Sequence, residues 1–144
     1  MENQTPMDAR PTGRPSCLIV DDDAAVLRTL GVILGDRQIG PTTLRTVADV
    51  VAACEQFAPD VLMLDLALTG FDAIDVLRTL GEHRYRGAVL LISGLHALLD
   101  QVMRVGERHR LVMLPPLSKP FRAHQVEQAL RDFAARSSSP VAAE

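Results

Sequence analysis

Short runs of consecutive apolar residues alternate along this chain with longer segments in which apolar residues recur every three or four positions. Continuous apolar runs are typical of parallel strands buried on both faces, and the longer spacing is typical of amphipathic helices. The β-rich alternation at 42–47 predicts a weaker second strand, and Pro115 and Pro116 are expected to end the last one. The continuous runs predict strands at residues 17–20, 61–64, 88–92 and 111–114.

A helical pattern follows each predicted strand. Asp23 is a suitable N-cap for the first helix, Pro59 ends the second and Gly81 closes the third. Five strand–helix units predict one α/β domain, in which helices cover both faces of a parallel sheet. The apolar stripes place the helices at about residues 26–34, 50–57, 74–80, 98–107 and 121–136, the fourth being the least regular.

The two ends of the chain differ in composition from the part between them. Residues 1–15 are polar and contain three prolines, so we expect a flexible lead-in. Residues 137–144 begin with three serines and predict a tail or the start of a linker. The folded domain is therefore expected at residues 16–136. No helix-turn-helix fits after it, so either the protein acts by binding partners or an output domain has been removed.

Composition narrows the classes of function. Hydrophobic residues make up 47% of the 144 residues, enough for a buried core, whereas aromatic residues make up only 3%. The core is therefore expected to be aliphatic, and stacking on nucleic-acid bases is disfavoured. A net charge of −3 also argues against direct nucleic-acid binding.

The cysteines and the hydropathy indicate the compartment. Cys17 and Cys54 lie in apolar stretches without a CxxC partner, so we expect buried free thiols in a reducing environment. No apolar run approaches the ~20 residues of a membrane span, and the polar start does not resemble a signal peptide. We therefore expect a cytoplasmic protein that does not associate with membranes.

Polar residues follow four of the predicted strands. Ligands of such folds bind outside the carboxyl ends of the strands, so these residues are the candidates for chemistry. Taken singly, each has an ordinary explanation: a strand-end aspartate is usually a cap, a serine usually structural and a lysine usually solvated. Asp23 is expected to act only as a cap. The candidates are Asp21 and Asp22, then Asp65, then Ser93, then Lys119.

The combination of these groups predicts a specific chemistry. Carboxylates at close range raise each other's pKa unless a cation neutralises them, and Mg²⁺ prefers carboxylates, waters and a phosphate. Lys119 supplies a charge suited to a phosphoryl oxygen, and the hydroxyl of Ser93 can donate a hydrogen bond to it. Together they predict transfer of a phosphoryl group to a carboxylate, giving an acyl phosphate.

At this point the sequence resembles a known family, the receiver domains of two-component response regulators. The resemblance covers about residues 16–135, and its most specific part is the SKPF segment in combination with the first two motifs. It implies a flavodoxin-like fold of five βα units with strand order 2-1-3-4-5. It is carried by residues 18–23 (LIVDDD), 60–66 (DVLMLDL) with Asp72, 91–94 (LISG) and 118–121 (SKPF).

The resemblance also implies roles for the residues that hold the metal ion. Asp65 would be the phosphoacceptor and also one of the metal-binding residues. Asp22 would bind Mg²⁺ directly, and Asp21 would bind it largely through water. The backbone carbonyl of Ala67 would be the third protein ligand.

The residues that contact the phosphoryl group, and the partners, follow in the same way. Ser93 would hydrogen-bond the phosphoryl group and Lys119 would pair with it, with a cis Lys119–Pro120 peptide. The implied partners are a histidine kinase or phosphotransfer protein and a downstream protein or output domain, with a homodimer possible. Self-catalysed phosphoryl transfer and autodephosphorylation would be the extent of any enzymatic activity.

Three positions depart from the family pattern. Thr69 stands where proline is common and Ala73 where glycine is common, so we expect a differently shaped loop above Asp65. Pro116 occupies the position, three residues before Lys119, where many receivers carry an aromatic residue that swings inward on phosphorylation. A proline cannot swing, so we expect the signal to leave through the loop at 115–120 or the fourth helix.

Two other functions remain open at the level of the sequence. One is a receiver-like interaction module that is not phosphorylated, although such modules usually lack an acid or the lysine. The other is a small phosphatase of the haloacid-dehalogenase type. Asp21 and Asp23 have the spacing that such enzymes need, but the Gly-Thr that should follow and a cap domain are missing.

Overall fold

The computed structural model describes residues 14–68, 70–94 and 97–137, so the predicted lead-in and tail lie almost wholly outside the described residues. The strands are β1 (Cys17–Val20), β2 (Val61–Asp65), β3 (Ala88–Ser93), β4 (Val112–Met113) and β5 (Leu117–Ser118). The helices are α1 (Ala24–Leu34), α2 (Val47–Phe57), α3 (Ala73–Glu82), α4 (Leu99–Arg108) and α5 (Ala123–Ser137), with a 3₁₀ turn at Gly35–Arg37.

The strands form one parallel sheet. β1 pairs with β2, β2 with β3, and β3 with both β4 and β5. Every residue of β1, β2 and β3 is buried, which explains why these strands are apolar without alternation. The predicted α/β fold with a doubly wound parallel sheet is confirmed.

The two faces of the sheet carry separate cores, because successive side chains of a strand point to opposite sides. One core packs Leu18, Leu62 and Leu91 against α2, α3 and α4. The other packs Ile19, Met63 and Leu90 against α1 and α5. Both cores are aliphatic, as the low aromatic content predicts.

The prediction of a second strand at 42–47 is wrong. Gln38 makes a single parallel bridge to Cys17, and Gly40, with φ of +78°, then turns the chain away at Pro41. The hydroxyl of Thr46 accepts a hydrogen bond from the amide of Asp49 at 3.0 Å and caps α2. The alternating residues therefore form a loop and a helix start. The strands that form lie in the predicted order: β1, then β2, then β3, then the edge strand made of β4 and β5. The second strand of the predicted order 2-1-3-4-5 is replaced by the single bridge beside β1.

The last strand also differs from the prediction. Pro115 and Pro116 interrupt it, as expected of residues without a backbone N–H. However, pairing with β3 resumes at β5, where Leu117 lies opposite Ile92 and Ser118 opposite Ser93. The prolines thus divide the edge strand in two instead of ending it.

None of the helices in the described part of the chain combines the length and the apolar character that a membrane crossing requires.

The buried cysteines generate a test of the packing. Burial is the main cause that raises the pKa of both thiols to about 12, so almost no thiolate is present near neutral pH. We expect Cys17 and Cys54 to resist a thiol reagent such as 5,5′-dithiobis(2-nitrobenzoate) at pH 8 in the folded protein. Both thiols should react in denaturant, which is the control. Fast labelling of the native protein would show that this part of the core opens readily.

Candidate functional site

Four strand ends bring the predicted polar residues to one edge of the sheet. Asp21 follows β1, Asp65 ends β2, Ser93 ends β3 and Lys119 follows β5. Asp21, Asp65 and Ser93 are 4%, 2% and 1% exposed, and they are the buried polar or charged residues of the described chain. Buried polarity is thus concentrated at the carboxyl edge of the sheet, where an α/β fold places its ligands.

The three carboxylates form a compact cluster. One oxygen each from Asp21, Asp22 and Asp65 lies within 4.8 Å of the others. Asp22 is exposed, whereas the other two are buried, so the cluster has an inner wall and a side that faces solvent. Asp23 lies outside the cluster and caps α1 by accepting from the amide of Ala25 at 2.8 Å, as predicted.

Backbone amides fix two of these carboxylates. The amide of Asp23 donates to Oδ1 of Asp21 at 2.8 Å, which couples the acidic run to the start of α1. The amide of Ala67 donates to Oδ1 of Asp65 at 3.2 Å, so the loop after β2 turns back over the strand end. Both carboxylates are therefore oriented by the chain that immediately follows them.

Lys119 is the positive charge of the site. Its Nζ lies 3.1 Å from Oδ2 of Asp21 and 3.3 Å from Oδ1 of Asp65, so one ammonium bridges both buried acids. Burial tends to lower the pKa of Lys119, but attraction to Asp21 and Asp65 outweighs it and leaves the pKa raised. The lysine therefore stays protonated in the folded protein.

Asp21 is less fully compensated. Burial is the main cause that raises its pKa, and the neighbouring charge of Asp65 adds to the effect. The amide of Asp23 and the ammonium of Lys119 act in the opposite direction without cancelling it. The surroundings of Asp21 therefore disfavour its ionised form.

Ser93 and Lys119 are linked through the sheet. The amide of Lys119 donates to the carbonyl oxygen of Ser93 at 2.9 Å, which continues the pairing of β3 with β5. The Lys119–Pro120 peptide is cis, as the family resemblance implies. The lysine and the hydroxyl residue therefore occupy neighbouring positions across two strand ends.

The donor set fits a hard divalent cation. Oδ2 of Asp21 is buried and accepts no hydrogen bond from the described residues; its contact with Lys119 is an ion pair. An acceptor atom in this position, next to two further carboxylates, is the environment that Mg²⁺ satisfies. The residues present therefore fit the ion that the sequence predicts.

The structure describes two of the three positions that depart from the family pattern. Thr69 lies outside the described residues. Ala73 is 3% exposed and is the first residue of α3, which Asp72 caps by accepting from the amide of Ile74 at 2.9 Å. Pro116 is half-buried between β4 and β5.

Sequence reasoning missed one wall of the site. A cleft of about 520 Å³ opens beside Asp21 and Asp22, and residues 42–45 form part of its lining together with Phe71. Because a strand was predicted at 42–47, this loop was not among the predicted parts of the site. Its signal was present in the glycine and proline at 40 and 41 and in the capping pattern of Thr46 with Asp49.

Comparison with known proteins gives a consistent result. The family model described as the response regulator receiver domain matches residues 17–131. The photosynthetic apparatus regulatory protein RegA of Rhodovulum sulfidophilum is 34% identical over 116 residues, which cover 81% of this chain. This chain spans 61% of the length of that relative, less than two thirds.

Solved structures show the same fold. The receiver domain of a Francisella response regulator has a TM-score of 0.67 at 17% identity, covering 86% of this chain and 99% of that chain. The receiver domain of NtrX from Brucella abortus has a TM-score of 0.61 at 26% identity, covering 80% and 98%.

The burial of the Asp21 carboxylate leads to a prediction for the stability of the metal-free protein. Because the pKa of folded Asp21 lies above its ordinary value of 3.8, its carboxylate destabilises the fold above the folded pKa. We expect Asp21→Asn to raise the free energy of unfolding by about 1 kcal/mol at pH 7, a Tm increase of roughly 4 °C. Thermal unfolding in EDTA measures this.

The sign of the pH dependence provides the control. The stability difference should shrink as the pH falls through the folded pKa and should vanish below 3.8, where Asp21 is protonated in both states. Asp22→Asn should have a smaller effect, since Asp22 is exposed and its charge is screened. A variant of Asp21 that is less stable at pH 7 and unchanged at low pH would contradict the interpretation.

Proposed function

Because the chain belongs to the response regulator receiver domain family, we propose that it is a phosphoacceptor in a two-component phosphorelay and that Asp65 accepts the phosphoryl group. The observation that carries the proposal is the position of Asp65. This buried carboxylate lies beside Asp21 and Asp22 and within 3.3 Å of the Lys119 ammonium. A nucleophile, a metal-binding cluster and a charge for the phosphoryl oxygens thus share one strand edge.

The oxygen that attacks can be assigned from the contacts. Lys119 and the amide of Ala67 both hold Oδ1 of Asp65, so we assign Oδ2 as the nucleophile. A lone pair of Oδ2 forms the new bond to phosphorus while the bond from phosphorus to the donor's imidazole nitrogen breaks. The imidazole departs with the electron pair and takes up a proton. Lys119 neutralises charge on the phosphoryl oxygens, and Ser93 donates its hydroxyl hydrogen to one of them.

The metal-binding residues have separate tasks. When bound, Mg²⁺ neutralises the negative charge that gathers as a phosphoryl group approaches three carboxylates. We assign Asp22 and Asp65 as metal ligands, Asp21 as a ligand largely through water, and the carbonyl of Ala67 as the third protein ligand. The three carboxylates offer oxygens within 4.8 Å of one another, which supports a shared ion.

The phosphoryl donor would be a histidine kinase or a phosphotransfer protein, and phosphorylation would change binding of a downstream protein or output domain. Homodimerisation is a further candidate response. Any enzymatic activity would be limited to self-catalysed transfer and autodephosphorylation, without direct binding of nucleic acid or membranes. Two buried free thiols suit the reducing cytoplasm as its location.

The signal would leave the site by a route that does not use a rotating aromatic residue. Pro116 stands three residues before Lys119, where its ring is fixed in the backbone. The backbone bond between Lys119 and Ser93 connects both phosphoryl-binding residues to β5. We therefore propose that movement of β5 and the segment at 115–120 carries the signal, with α4 as the alternative route.

Phosphorylation can be tested directly with acetyl phosphate and Mg²⁺. We expect the intact protein to gain the mass of one phosphoryl group, and Asp65→Asn to abolish the gain because the neutral amide of asparagine has no carboxylate oxygen to attack phosphorus. Asp72→Asn is the matched control, since Asp72 caps α3 in the same loop and asparagine caps equally well. Lack of a mass gain in the wild-type protein would favour the unphosphorylated interaction module instead.

The signal route can be tested by NMR with beryllofluoride and Mg²⁺ as a stand-in for the phosphoryl group. We expect the largest backbone shifts at Ser93–Gly94 and in residues 115–121, with smaller ones in α4, because Lys119 and Ser93 approach the new anion together. Asp65→Asn should remove the shifts. If the main change were instead a rotamer change of an aromatic ring such as Phe121, the proposed route would be wrong.

A further inference from the structure

A second pocket lies at the opposite edge of the sheet from the phosphorylation site. It has a volume of about 490 Å³, within the range of sites for small organic ligands. Its lining includes Asp60 and Gly87, which immediately precede β2 and β3. Five residue steps of extended chain separate Asp60 from Asp65, a distance of about 16 Å.

Two side-chain contacts join the loops that form this pocket. The hydroxyl of Tyr85 donates to the carbonyl oxygen of Pro59 at 2.9 Å, and Nδ1 of His83 lies 2.6 Å from Oε2 of Glu55. A side chain at Gly87 would collide with the Tyr85 hydroxyl and the Pro59 carbonyl, so glycine permits this closure. The loops after α2 and after α3 are therefore held in place around the pocket.

The charged groups of the lining are unequally compensated. Glu55 faces His83, and Asp60 accepts hydrogen bonds from the amide and hydroxyl of Ser16 at 2.8 and 3.2 Å. Arg84 and Arg86 are exposed and form no ion pair with any carboxylate of the described residues. The two acids of the pocket thus have hydrogen-bonding partners, whereas the guanidinium groups of Arg84 and Arg86 remain available to an anion.

The backbone conformation of Arg84 determines which variant can test its role. Arg84 has φ of +58° at the second position after α3, a left-handed conformation in which glycine is preferred. Replacement of this arginine by glycine therefore suits the local backbone.

The rest of the lining is apolar and partly aromatic. Tyr85 and Phe133 are two of the five aromatic residues of the whole chain, and Leu80 and Cys54 add aliphatic and thiol surface. We propose that this pocket binds a small organic anion with a flat apolar body, whose charged group is held by Arg84 and Arg86. Guanidinium groups bind sulfonate, carboxylate and phosphate oxygens in a two-point geometry, and the aromatic rings contact the flat body.

The probe that matches this class is 1-naphthalenesulfonate, titrated into the ¹⁵N-labelled protein. We expect saturable amide shifts confined to residues 54–60, 80–87 and the neighbourhood of Phe133, with a Kd of about 1 mM for a probe of this size. The neutral analogue 1-naphthalenemethanol should bind several-fold more weakly, and 1-naphthylmethylammonium should produce no saturable shift.

The decisive variant is Arg84→Gly, because glycine suits the left-handed conformation and the fold should be retained or stabilised. We expect it to weaken binding of the sulfonate about fivefold or more. Arg110→Gly is the matched control: Arg110 has φ of +66° at the corresponding position after α4 but does not line the pocket. That variant should bind as the wild-type protein does.

Arg86→Gln is a second test that leaves the backbone conformation untouched, and it should also weaken binding. The proposal would be overturned by the absence of saturable shifts up to about 10 mM probe, by equal effects of Arg84→Gly and Arg110→Gly, or by equal affinity for the neutral analogue. Shifts centred on Lys119 would likewise assign the anion to the phosphorylation site instead.

Discussion

Two buried carboxylates, those of Asp21 and Asp65, share one ammonium group. Lys119 lies 3.1 Å from the first and 3.3 Å from the second, and at least one negative charge in this group is not neutralised by the described side chains. A fold that was optimised only for stability would not keep like charges together away from water. The pKa of Asp21 is accordingly raised, mainly because this carboxylate is buried and also because Asp65 is close to it. A bound cation would relieve the repulsion between these carboxylates, which supports the proposed magnesium site.

The sheet makes this arrangement possible because it excludes polar groups everywhere else. β1, β2 and β3 are buried on both faces, so any polar side chain within them would lose its hydration. The strands are also parallel, so their carboxyl ends lie at one edge. Asp65 and Ser93 occupy the last positions of β2 and β3, at the first point where a polar group can be accommodated. The same burial that keeps polar residues out of the strands therefore places Asp65 and Ser93 together at the strand ends.

The elements that sequence reasoning predicted well are those governed by this same constraint. Runs such as Val61-Leu62-Met63-Leu64 have few alternatives, since four successive apolar residues ending in an acid suit a doubly buried strand. The segment at 42–47 failed because its alternation also fits a loop followed by a helix, and the Thr46 cap decided between them. Pairing after Pro116 could not be predicted because it depends on the register with β3 and on no local pattern. The clefts depend on loop contacts between distant segments, which periodicity does not encode.

The interrupted edge strand bears on how a charge at Asp65 would be transmitted. β5 pairs with β3 over only two positions, and the prolines before it supply no N–H groups to lengthen the ladder. Such a strand is held weakly on one side, while on the other its chain leads directly to Lys119. A new dianion that attracts the lysine and the Ser93 hydroxyl acts on both ends of the hydrogen bond between them. The easiest response is a shift of the short strand as a unit, because moving β3 would disturb two buried neighbours. Under the proposed function, Pro116 is then compatible with signalling, since the strand can move without any side chain rotating.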